Sequence, residues 1–412
     1  MQPKPPHEPP LSVEDALARV LATIQPLATE HLDLLSAHQR VLAEEIRADA
    51  DVPAFDRSAM DGIAVRSSDA LPQAILMQLG ESAAGTPFVG QVTPGHCVRV
   101  MTGGVVPEGA DAVVPVERIE RLDALTYRLL DAARPEQNVA RQGSEVRRSE
   151  VVLQSGLRLN GARLGVLATY GHDRVQVARR PIVALLPTGN EIVPVHVQPA
   201  RGQVRDANRH ALTGLLLDAG AEVRQHPVAA DERQALTAAI AAAWEEADVL
   251  VTSGGVSAGD YDLVPPVLAE LGATLHFHKI AIKPGRPLLF ATRVHGGRTQ
   301  YAFGLPGNPV SSYVCCALFV VPALLGLQGA PSAWQRLTLP SRTALPTTGP
   351  RAEILPATLF STPEGASAAV ELLSSSADLT RFSRADWFAY RPPHAPSIEA
   401  GASVCLFASP RP

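Results

Sequence analysis

Between residues 181 and 329, short apolar runs alternate with helical patterns, and this alternation constrains the fold more than any other feature of the chain. Ile182 to Leu186 and Asp248 to Thr252 are runs that predict buried strands. Residues 208–219, between them, carry apolar side chains at helical spacing. Such a repeat of strand and helix favours a largely parallel sheet with helices on both faces. We therefore expect an α/β domain here.

Three glycine turns follow apolar or β-branched runs in the same segment. They are TSGGVSAGDYD (252–262), KIAIKPGRPLLF (279–290) and GLPGNPVSS (304–312). Because open α/β sheets bind ligands at the carboxyl ends of their strands, we expect these turns to converge at one edge of the sheet. A single glycine pair after a strand is usually only a turn. Three such turns in one stretch favour a phosphate-bearing ligand held by backbone N–H groups.

Charged side chains accompany these turns. The cations are Lys279, Lys283 and Arg286, and the carboxylates at or near predicted strand ends are Glu191, Asp206, Asp231 and Asp262. Clustered carboxylate oxygens suit Mg²⁺ better than a soft metal. Asp231 has a simpler alternative as the N-cap of the helix that follows it, because an Asp side chain accepts hydrogen bonds from free helix amides. Both interpretations stay open at this point.

The first part of the chain differs in character. Residues 49–145 contain short apolar segments with many Pro and Gly, which is typical of a compact β domain. Its turn motifs are FDRSAMDG (55–62), MTGGVVPEGADAVV (101–114) and RQGSEV (141–146). FDRSAMDG on its own reads as a surface turn. A capping box at Ser12–Asp15 predicts a helix, and residues 158–178 carry a second helical pattern.

Composition limits the class of protein. A chain of 412 residues suggests two to four domains, and a net charge of −5 argues against nucleic acid as a partner. The four cysteines lack metal-ligand spacing, which favours a reducing compartment. We expect the first ten residues to be a flexible tail rather than a signal peptide. The apolar run from Val314 to Leu327 is expected to be too short to span a bilayer, so we expect a cytoplasmic protein without a membrane partner.

In their order and combination, these motifs resemble the molybdopterin molybdenumtransferase family of the MoeA type, which includes the E domain of gephyrin. The resemblance covers about residues 12 to 410. It implies a homodimer of multi-domain subunits, α/β plus β in class. The central domain would be a three-layer, MogA-like α/β domain with a mostly parallel sheet, beside a β-rich inserted domain, an elongated helical and β domain, and a small C-terminal domain resembling a β-barrel.

The corresponding boundaries can be given as expectations. They are a flexible tail at 1–11, elongated domain I at 12–48 and 146–179, β-rich domain II at 49–145, molybdopterin-binding domain III at 180–329 and C-terminal β domain IV at 332–412.

The resemblance also implies a reaction. Family members insert molybdate into adenylylated molybdopterin, cleave its phosphoanhydride with the help of Mg²⁺, and release AMP and molybdenum cofactor. The implied catalytic residues are Asp61, Glu191, Asp231, Asp262, Lys279 and Lys283, of which Glu191, Asp231 and Asp262 would hold the metal. The implied substrate-binding residues are Thr102, Glu145, Ser253, Gly254, Gly255, Arg286, Pro306, Gly307, Asn308, Arg351 and Ser376.

Several positions differ from the usual family pattern: Ser144-Glu145 for Glu-Asp, Pro187 for Ser, Asn190 for Asp, Arg286 for Lys and Ile63 for Tyr, and the chain lacks a clear RG pattern after residue 351. Two other functions compete with the molybdenum insertion. One is a molybdopterin adenylyltransferase, since 180–329 alone would resemble that module, and the other is a cofactor-binding or scaffold protein without turnover. Molybdopterin adenylyltransferases and molybdoenzymes are the protein partners that the resemblance implies.

Overall fold

A computed structural model describes residues 10–256, 263–363, 365–373 and 375–408. The chain divides into two compact units. The first consists of Met1–Glu44, Ser155–Gly161 and Arg174–Pro412, and the second of Glu45–Gln154 and Ala162–Asp173. The division into four domains stays a prediction.

The helices of the described residues are distributed along the chain. They are α1 (Val13–Thr23), α2 (Gly161–Thr169), α3 (Ala207–Asp218), α4 (Arg233–Glu245), α5 (Val264–Glu270), α6 (Pro309–Cys315), α7 (Val321–Leu327) and α8 (Leu379–Phe382).

The strands are numbered in the same way. They are β1 (Thr29–Asp33), β2 (Ile46–Arg47), β3 (Arg57–Ser58), β4 (Gly62–Val65), β5 (Ile75–Ser82), β6 (His96–Val100), β7 (Ala112–Pro115), β8 (Ile119–Arg121), β9 (Thr126–Leu129), β10 (Val139–Ala140), β11 (Val151–Leu153), β12 (Arg174–Ala178), β13 (Ile182–Pro187), β14 (Ile192–Val193), β15 (Val204–Arg205), β16 (Glu222–Gln225), β17 (Val249–Ser253), β18 (Thr274–His278), β19 (Ile282–Lys283), β20 (Leu289–His295), β21 (Arg298–Leu305), β22 (Gln335–Pro340), β23 (Ala352–Thr362), β24 (Gly365–Val370), β25 (Trp387–Arg391) and β26 (Ser403–Ala408).

The main sheet of the first unit has six strands in the order β16-β13-β17-β21-β20-β18. The neighbours from β16 to β21 are parallel, and β20 runs antiparallel to both β21 and β18. The sheet is therefore mostly parallel, as the alternation of strands and helices predicts. The parallel strands end at one edge of the sheet. Strand β18 ends at that edge too, because β18 and β21 are both antiparallel to β20 and therefore run in the same direction.

Alternating side chains of β13 build two cores, one on each face of this sheet. Val183 and Leu185 pack with the apolar side chains of α3, including Leu212. Ala184 and Leu186 pack with α4 and α5 on the opposite face. Successive side chains of a strand point to opposite faces, so a strand covered on both sides must be apolar throughout. This is why the run from Ile182 reads as continuously apolar.

One glycine turn leaves a different sheet from the one that the sequence predicts. The turns after β17 and β21 leave parallel neighbours of the main sheet, but Pro284-Gly285 follows β19, which pairs with β23. The expectation that all three turns leave one sheet is therefore wrong. The chain turns away at Lys279, whose φ of 85° lies in the left-handed region, before Ile282 aligns with Ala352.

The C-terminal sheet has the order β19-β23-β25-β26-β22, with β24 paired to β23. Its own apolar core includes Leu345, Ala357, Val370 and Leu406. This agrees with a β structure after residue 332, while the barrel-like closure stays a prediction. In the second unit, six strands form the sheet β7-β4-β6-β5-β9-β8 around Ile63 and Leu76, as the β-rich pattern predicts.

The pattern over 158–178 is only partly helical. Helix α2 ends at Thr169, and β12 then pairs antiparallel with β1. The residues of β12 alternate between exposed Arg174 and buried Val175 and Val177, which is the period of a strand rather than a helix.

Pro309–Leu327 is a helical segment of 19 residues with a mean hydropathy of 2.1. Within the part of the chain that the structure describes, it is the one segment that is long and apolar enough to cross a membrane. The prediction that this run is too short is wrong, because the helix starts before Val314. It continues through a π-helical turn at Cys316–Val320, and Pro322 lies just after that turn, where its missing N–H is tolerated. The segment is 89% buried, which is the environment of a core helix.

Candidate active site

The turns that follow β13, β17 and β21 are joined by backbone hydrogen bonds. The Thr188 N–H donates to the Ser253 carbonyl at 2.9 Å, and the Gly254 N–H donates to the Leu305 carbonyl at 3.0 Å. Gly254 has a φ of 103°, and a Cβ there would lie 2.5 Å from the Thr188 carbonyl oxygen. Only glycine fits this position. The turns therefore form one tightly packed edge rather than three independent loops.

Asn208, in the first turn of α3, holds two of these turns together. Its Nδ2 donates to Ser253 Oγ and to the Gly307 carbonyl, both at 2.7 Å. The residue is only 5% exposed, and its Oδ1 has no hydrogen-bond partner among the residues that the structure describes. Sequence reasoning missed Asn208. The available signal was an amide side chain two residues after Asp206, at the start of a helix that faces the carboxyl edge of the sheet.

The acidic residues near the strand ends do not share one role. Asp206 caps α3 by accepting from the Arg209 N–H and is ion-paired with the Arg209 guanidinium at 2.8 Å. With 4% exposure, it is engaged and does not serve as a free ligand. The N-cap of α4 is Glu232 rather than Asp231, so the capping interpretation of Asp231 is wrong. The Asp231 carboxylate instead accepts from the Asn190 N–H at 3.4 Å, and the Asn190 side chain accepts from the Asp231 N–H at 3.2 Å.

Two of the three predicted metal ligands can be tested for fit. Glu191 is exposed and Asp231 half-buried, and neither carboxylate forms an ion pair within the described ranges. Their oxygens have the chemistry that Mg²⁺ requires. Asp262 lies outside the described residues, and no group of three or more metal-binding side chains occurs among the residues that are described. The donor chemistry of Glu191 and Asp231 therefore suits an oxygen-binding cation, and the metal site itself stays a prediction.

A cavity of about 620 Å³ lies beside the turn at Pro284-Gly285. Its polar and charged lining residues are Lys283, Arg286, Asn308, Ser311, Thr347, Arg351, Glu353, Ser375 and Ser376. Five residues predicted from the sequence, far apart in the chain, therefore line one cavity: Lys283, Arg286, Asn308, Arg351 and Ser376. Three of the five are cations, which makes the cavity suitable for an anion.

Hydrogen bonds fix several walls of this cavity. Asn308 Nδ2 donates to Ser376 Oγ at 2.9 Å, and the Val310 N–H donates to the Ser376 carbonyl at 3.1 Å. Asn308 is also the N-cap residue of α6, so the positive end of the helix faces the same region. Lys283 Nζ donates to Glu353 Oε1 at 3.0 Å. Pro306 and Gly307 belong to the turn that leads from β21 into Asn308.

Lys279 does not line this cavity but follows β18 at the carboxyl edge of the main sheet. Its backbone N–H donates to the Leu288 carbonyl at 2.8 Å, and its φ of 85° is unusual for a residue with a side chain. Left-handed backbone at a non-glycine residue often accompanies a functional position.

Asp61, Thr102 and Glu145 lie in the second unit. Asp61 Oδ1 accepts from the Thr102 N–H at 2.7 Å and from the Thr102 hydroxyl at 2.9 Å. The hydrogen bond from the Thr102 amide, followed by that from its hydroxyl, lowers the pKa of Asp61. Glu145 forms an ion pair with Arg57 at 2.7 Å. The structure therefore joins Asp61 to Thr102 and gives Glu145 a cationic partner.

The comparisons with known proteins agree over most of the chain. The family model for the MoeA N-terminal region (domain I and II) matches residues 11–171, and the model for a probable molybdopterin binding domain matches residues 184–326. A molybdopterin molybdenumtransferase of Haemophilus influenzae is 38% identical over 322 residues, which are 77% of this chain and 78% of that protein. One from Bacillus subtilis is 34% identical over 76% of this chain and 74% of its own length.

The fold agrees with these sequence relatives. A crystal structure of the molybdopterin biosynthesis MoeA protein from Pyrococcus horikoshii OT3 matches with a TM-score of 0.84 and 27% identity, covering 97% of this chain and 100% of that one. The resemblance seen in the motifs is thereby confirmed. This chain belongs to the molybdopterin molybdenumtransferase family, the MoeA-type transferases of molybdenum cofactor biosynthesis.

Proposed function

We propose that this chain inserts molybdate into adenylylated molybdopterin, with cleavage of the phosphoanhydride and release of AMP and molybdenum cofactor. The observation that carries the proposal is the cavity whose lining combines Lys283, Arg286 and Arg351. Molybdate, a dithiolene and a pyrophosphate are all anionic, so bringing them together requires cations at close range.

Molybdate occupies the cavity in this proposal. Its oxygens accept from the ammonium of Lys283 and from the guanidinium groups of Arg286 and Arg351, which present planar, forked donors to an oxyanion. The hydroxyl of Ser376, whose oxygen accepts from Asn308 Nδ2, adds a neutral donor. A volume of about 620 Å³ is larger than molybdate alone needs, which leaves room for the dithiolene end of the second substrate.

The phosphate groups of adenylylated molybdopterin bind along the carboxyl edge of the main sheet. The backbone N–H of Gly255, together with the turn at Pro306 and Gly307, forms the cradle, while the Gly254 N–H closes the edge by donating to the Leu305 carbonyl. Ser253 and Asn208 keep these turns in register through the hydrogen bond between their side chains. Lys279 supplies positive charge at the same edge.

Glu191 and Asp231, with Asp262, are the residues that would hold Mg²⁺. When bound, Mg²⁺ would neutralise charge on the phosphoanhydride and make AMP a better leaving group. The chain itself contributes the orientation of the ligands, since the paired hydrogen bonds between Asn190 and Asp231 fix the position of that carboxylate.

By resemblance to the family, Asp61, Thr102 and Glu145 also take part in the reaction. A molybdate oxygen leaves as water only if it receives two protons, and the dithiol of the substrate can provide them. By resemblance to the family, the proposal gives Asp61 the role of a general base in this proton transfer. The two hydrogen bonds from Thr102 lower the pKa of Asp61, so its contribution is the fixed orientation of the carboxylate rather than a raised basicity.

The remaining features of the family belong to the same proposal. They are a homodimer, a cytoplasmic location, a central domain like that of molybdopterin adenylyltransferases, a barrel-like C-terminal domain, and contacts with adenylyltransferases or molybdoenzymes. The similarity to MoeA proteins over both units supports them.

The reaction itself is the test. Purified protein is incubated with adenylylated molybdopterin and Mg²⁺, with and without molybdate, and AMP and active cofactor are measured. AMP release that depends on molybdate is the expected result. AMP release without dependence on molybdate, or formation of adenylylated molybdopterin from ATP, would contradict it, and binding without turnover would indicate a scaffold.

A further inference from the structure

Among the described residues that line the cationic cavity, Glu353 is the one acidic side chain. Glu353 lies on β23, where it is the register partner of Lys283 on the parallel strand β19. Its side chain is 15% exposed and lines the cavity together with Lys283, Arg286 and Arg351. A carboxylate in a site for a dianion repels the ligand, so its presence there calls for a physical reason.

Glu353 lies between two cations of different character. On one side, its Oε1 accepts from Lys283 Nζ at 3.0 Å, and the Lys283 side chain is 60% exposed. On the other side, its register partner on the antiparallel strand β25 is Arg391, which is 2% exposed. Burial lowers the pKa of Arg391, and the negative charge of Glu353 opposes that effect. Arg391 is thus a buried structural cation, whereas Lys283 is free to exchange partners.

We propose that Glu353 is a built-in counterion that competes with the oxyanion substrate for Lys283 and thereby sets how tightly the cavity holds molybdate. The inference rests on the proposed function. In the free protein, the ammonium of Lys283 is held by Glu353. When molybdate enters, the ammonium exchanges the carboxylate for an oxygen of the substrate.

The charges of the lining residues support this assignment. Three cations and one carboxylate give a net charge of two positive units among the described lining residues, which balances the two negative charges of molybdate. Without the carboxylate, the cavity would hold free molybdate more tightly. Tighter binding of the ground state does not accelerate the reaction, because only interactions that strengthen in the transition state do so. Glu353 therefore keeps molybdate exchangeable until the dithiolene takes it over.

A purely structural role for Glu353 makes a different prediction. If the carboxylate only compensated for the buried charge of Arg391, its removal would lower the thermal stability and leave the affinity for molybdate unchanged or weaker. The counterion role predicts the opposite sign for the affinity, so binding separates the two roles even when stability falls.

The test is molybdate binding by titration calorimetry at low ionic strength, with full-length protein. Glu353→Gln should bind molybdate roughly tenfold more tightly, because one nearby negative charge is removed. Glu353→Asp keeps the charge beside Arg391 but has a shorter reach toward Lys283, and should tighten binding by about twofold to threefold. Glu399→Gln, an exposed carboxylate outside the cavity lining, is the matched control and should change nothing.

Steady-state kinetics add a second measurement. In the Glu353→Gln protein, KM for molybdate and kcat should both fall, which is the signature of a ground state that has become too stable. If neither Glu353 variant binds molybdate more tightly while Arg351→Ala still weakens binding, the counterion inference is overturned and the proposed function stands. If the unmodified protein does not bind molybdate, or Arg351→Ala leaves its binding intact, the assignment of the cavity to molybdate fails and the inference falls with it, while molybdate-dependent AMP release tests the proposed function separately.

Discussion

Asp61 and Thr102, which are 41 positions apart in the chain, are joined by two hydrogen bonds of 2.7 and 2.9 Å. Both are donated by Thr102 to the same carboxylate oxygen, one from the backbone and one from the hydroxyl. The pair connects the motif FDRSAMDG to the motif MTGGVVPEGADAVV. The contact joins two separate turn motifs and gives the carboxylate of Asp61 a fixed orientation.

Thr102→Val tests this contact, because valine preserves the shape of threonine and removes only the hydroxyl. The pKa of Asp61 should rise toward its ordinary value, as measured by carboxyl NMR titration, since one of the two donors that lower it is lost. A carboxylate with a lowered pKa in the folded state contributes stability above its ordinary pKa and loses that contribution as the pH falls through the folded value. The stability of the Thr102→Val protein should therefore fall less than that of the unmodified protein as the pH is lowered.

Turnover of the Thr102→Val protein should fall by roughly tenfold, because a misoriented base loses part of its general-base contribution. Thr86→Val changes an exposed threonine of the same unit and should leave both the Asp61 titration and turnover unchanged. An unchanged Asp61 titration in Thr102→Val would show that the hydroxyl does not hold this carboxylate.

Asn208 should be required for both stability and turnover. Asn208→Ala removes the hydrogen bonds to Ser253 and Gly307. The free energy of unfolding should therefore fall by about 1–3 kcal/mol. AMP release should fall by roughly 100-fold, because the two turns that form the phosphate cradle lose their register. Asn190→Asp, which retains an oxygen for the Asp231 N–H, is the control and should keep most of the activity. Full activity in Asn208→Ala would exclude the role given to it here.

Replacement of a proposed metal ligand should raise the Mg²⁺ concentration that the reaction requires. Glu191→Gln and Asp231→Asn each remove one charged oxygen ligand, so the Mg²⁺ concentration for half-maximal AMP release should rise about tenfold or more. Chelation of Mg²⁺ should abolish AMP release by the unmodified protein. Calcium and magnesium titrations of the two variants provide the measurement, with Glu232→Gln, the adjacent residue that forms no side-chain cap, as control. An unchanged Mg²⁺ requirement in both variants would remove these residues from the ligand set.

The cysteines should be unreactive in the folded protein, with one exception. Cys97, Cys315 and Cys316 are buried, and burial raises the pKa of the Cys97 thiol to about 12 and those of the adjacent pair as well. A buried thiol is mostly protonated at neutral pH and reacts slowly. A thiol reagent such as dithionitrobenzoate should label at most Cys405 in the native protein and all four after denaturation. Rapid labelling of several thiols in the native state would contradict this burial.

The strands and helices of the main sheet were accessible from the sequence because their periodicity is strong. Continuous apolar runs at β13 and β17 mark strands covered on both faces, and α3 has clear helical spacing. Local signals failed where long-range pairing decides the structure. The two residues of β19 join the C-terminal sheet only because β23 lies beside them, and no feature of KIAIKPGRP itself indicates that partner.

Site residues show the same limit. Charged and glycine residues at strand ends were predictable, since their chemistry suits phosphate and metal. Asn208 and Glu353 were not, because their significance comes from what they contact rather than from a motif. The capping prediction for Asp231 failed because the helix begins one residue later, and the side chain bonds to the neighbouring turn at Asn190 instead.

The central claim is that molybdate binds in the cavity lined by Lys283, Arg286 and Arg351. Its most direct test is anomalous diffraction from crystals soaked in sodium molybdate without sulfate or phosphate, recorded on both sides of the molybdenum absorption edge. We expect one strong molybdenum peak within hydrogen-bonding distance of these three cations, and we expect it to disappear in crystals of Arg351→Ala. A molybdenum peak only at another location, in protein that retains molybdate-dependent AMP release, would contradict it.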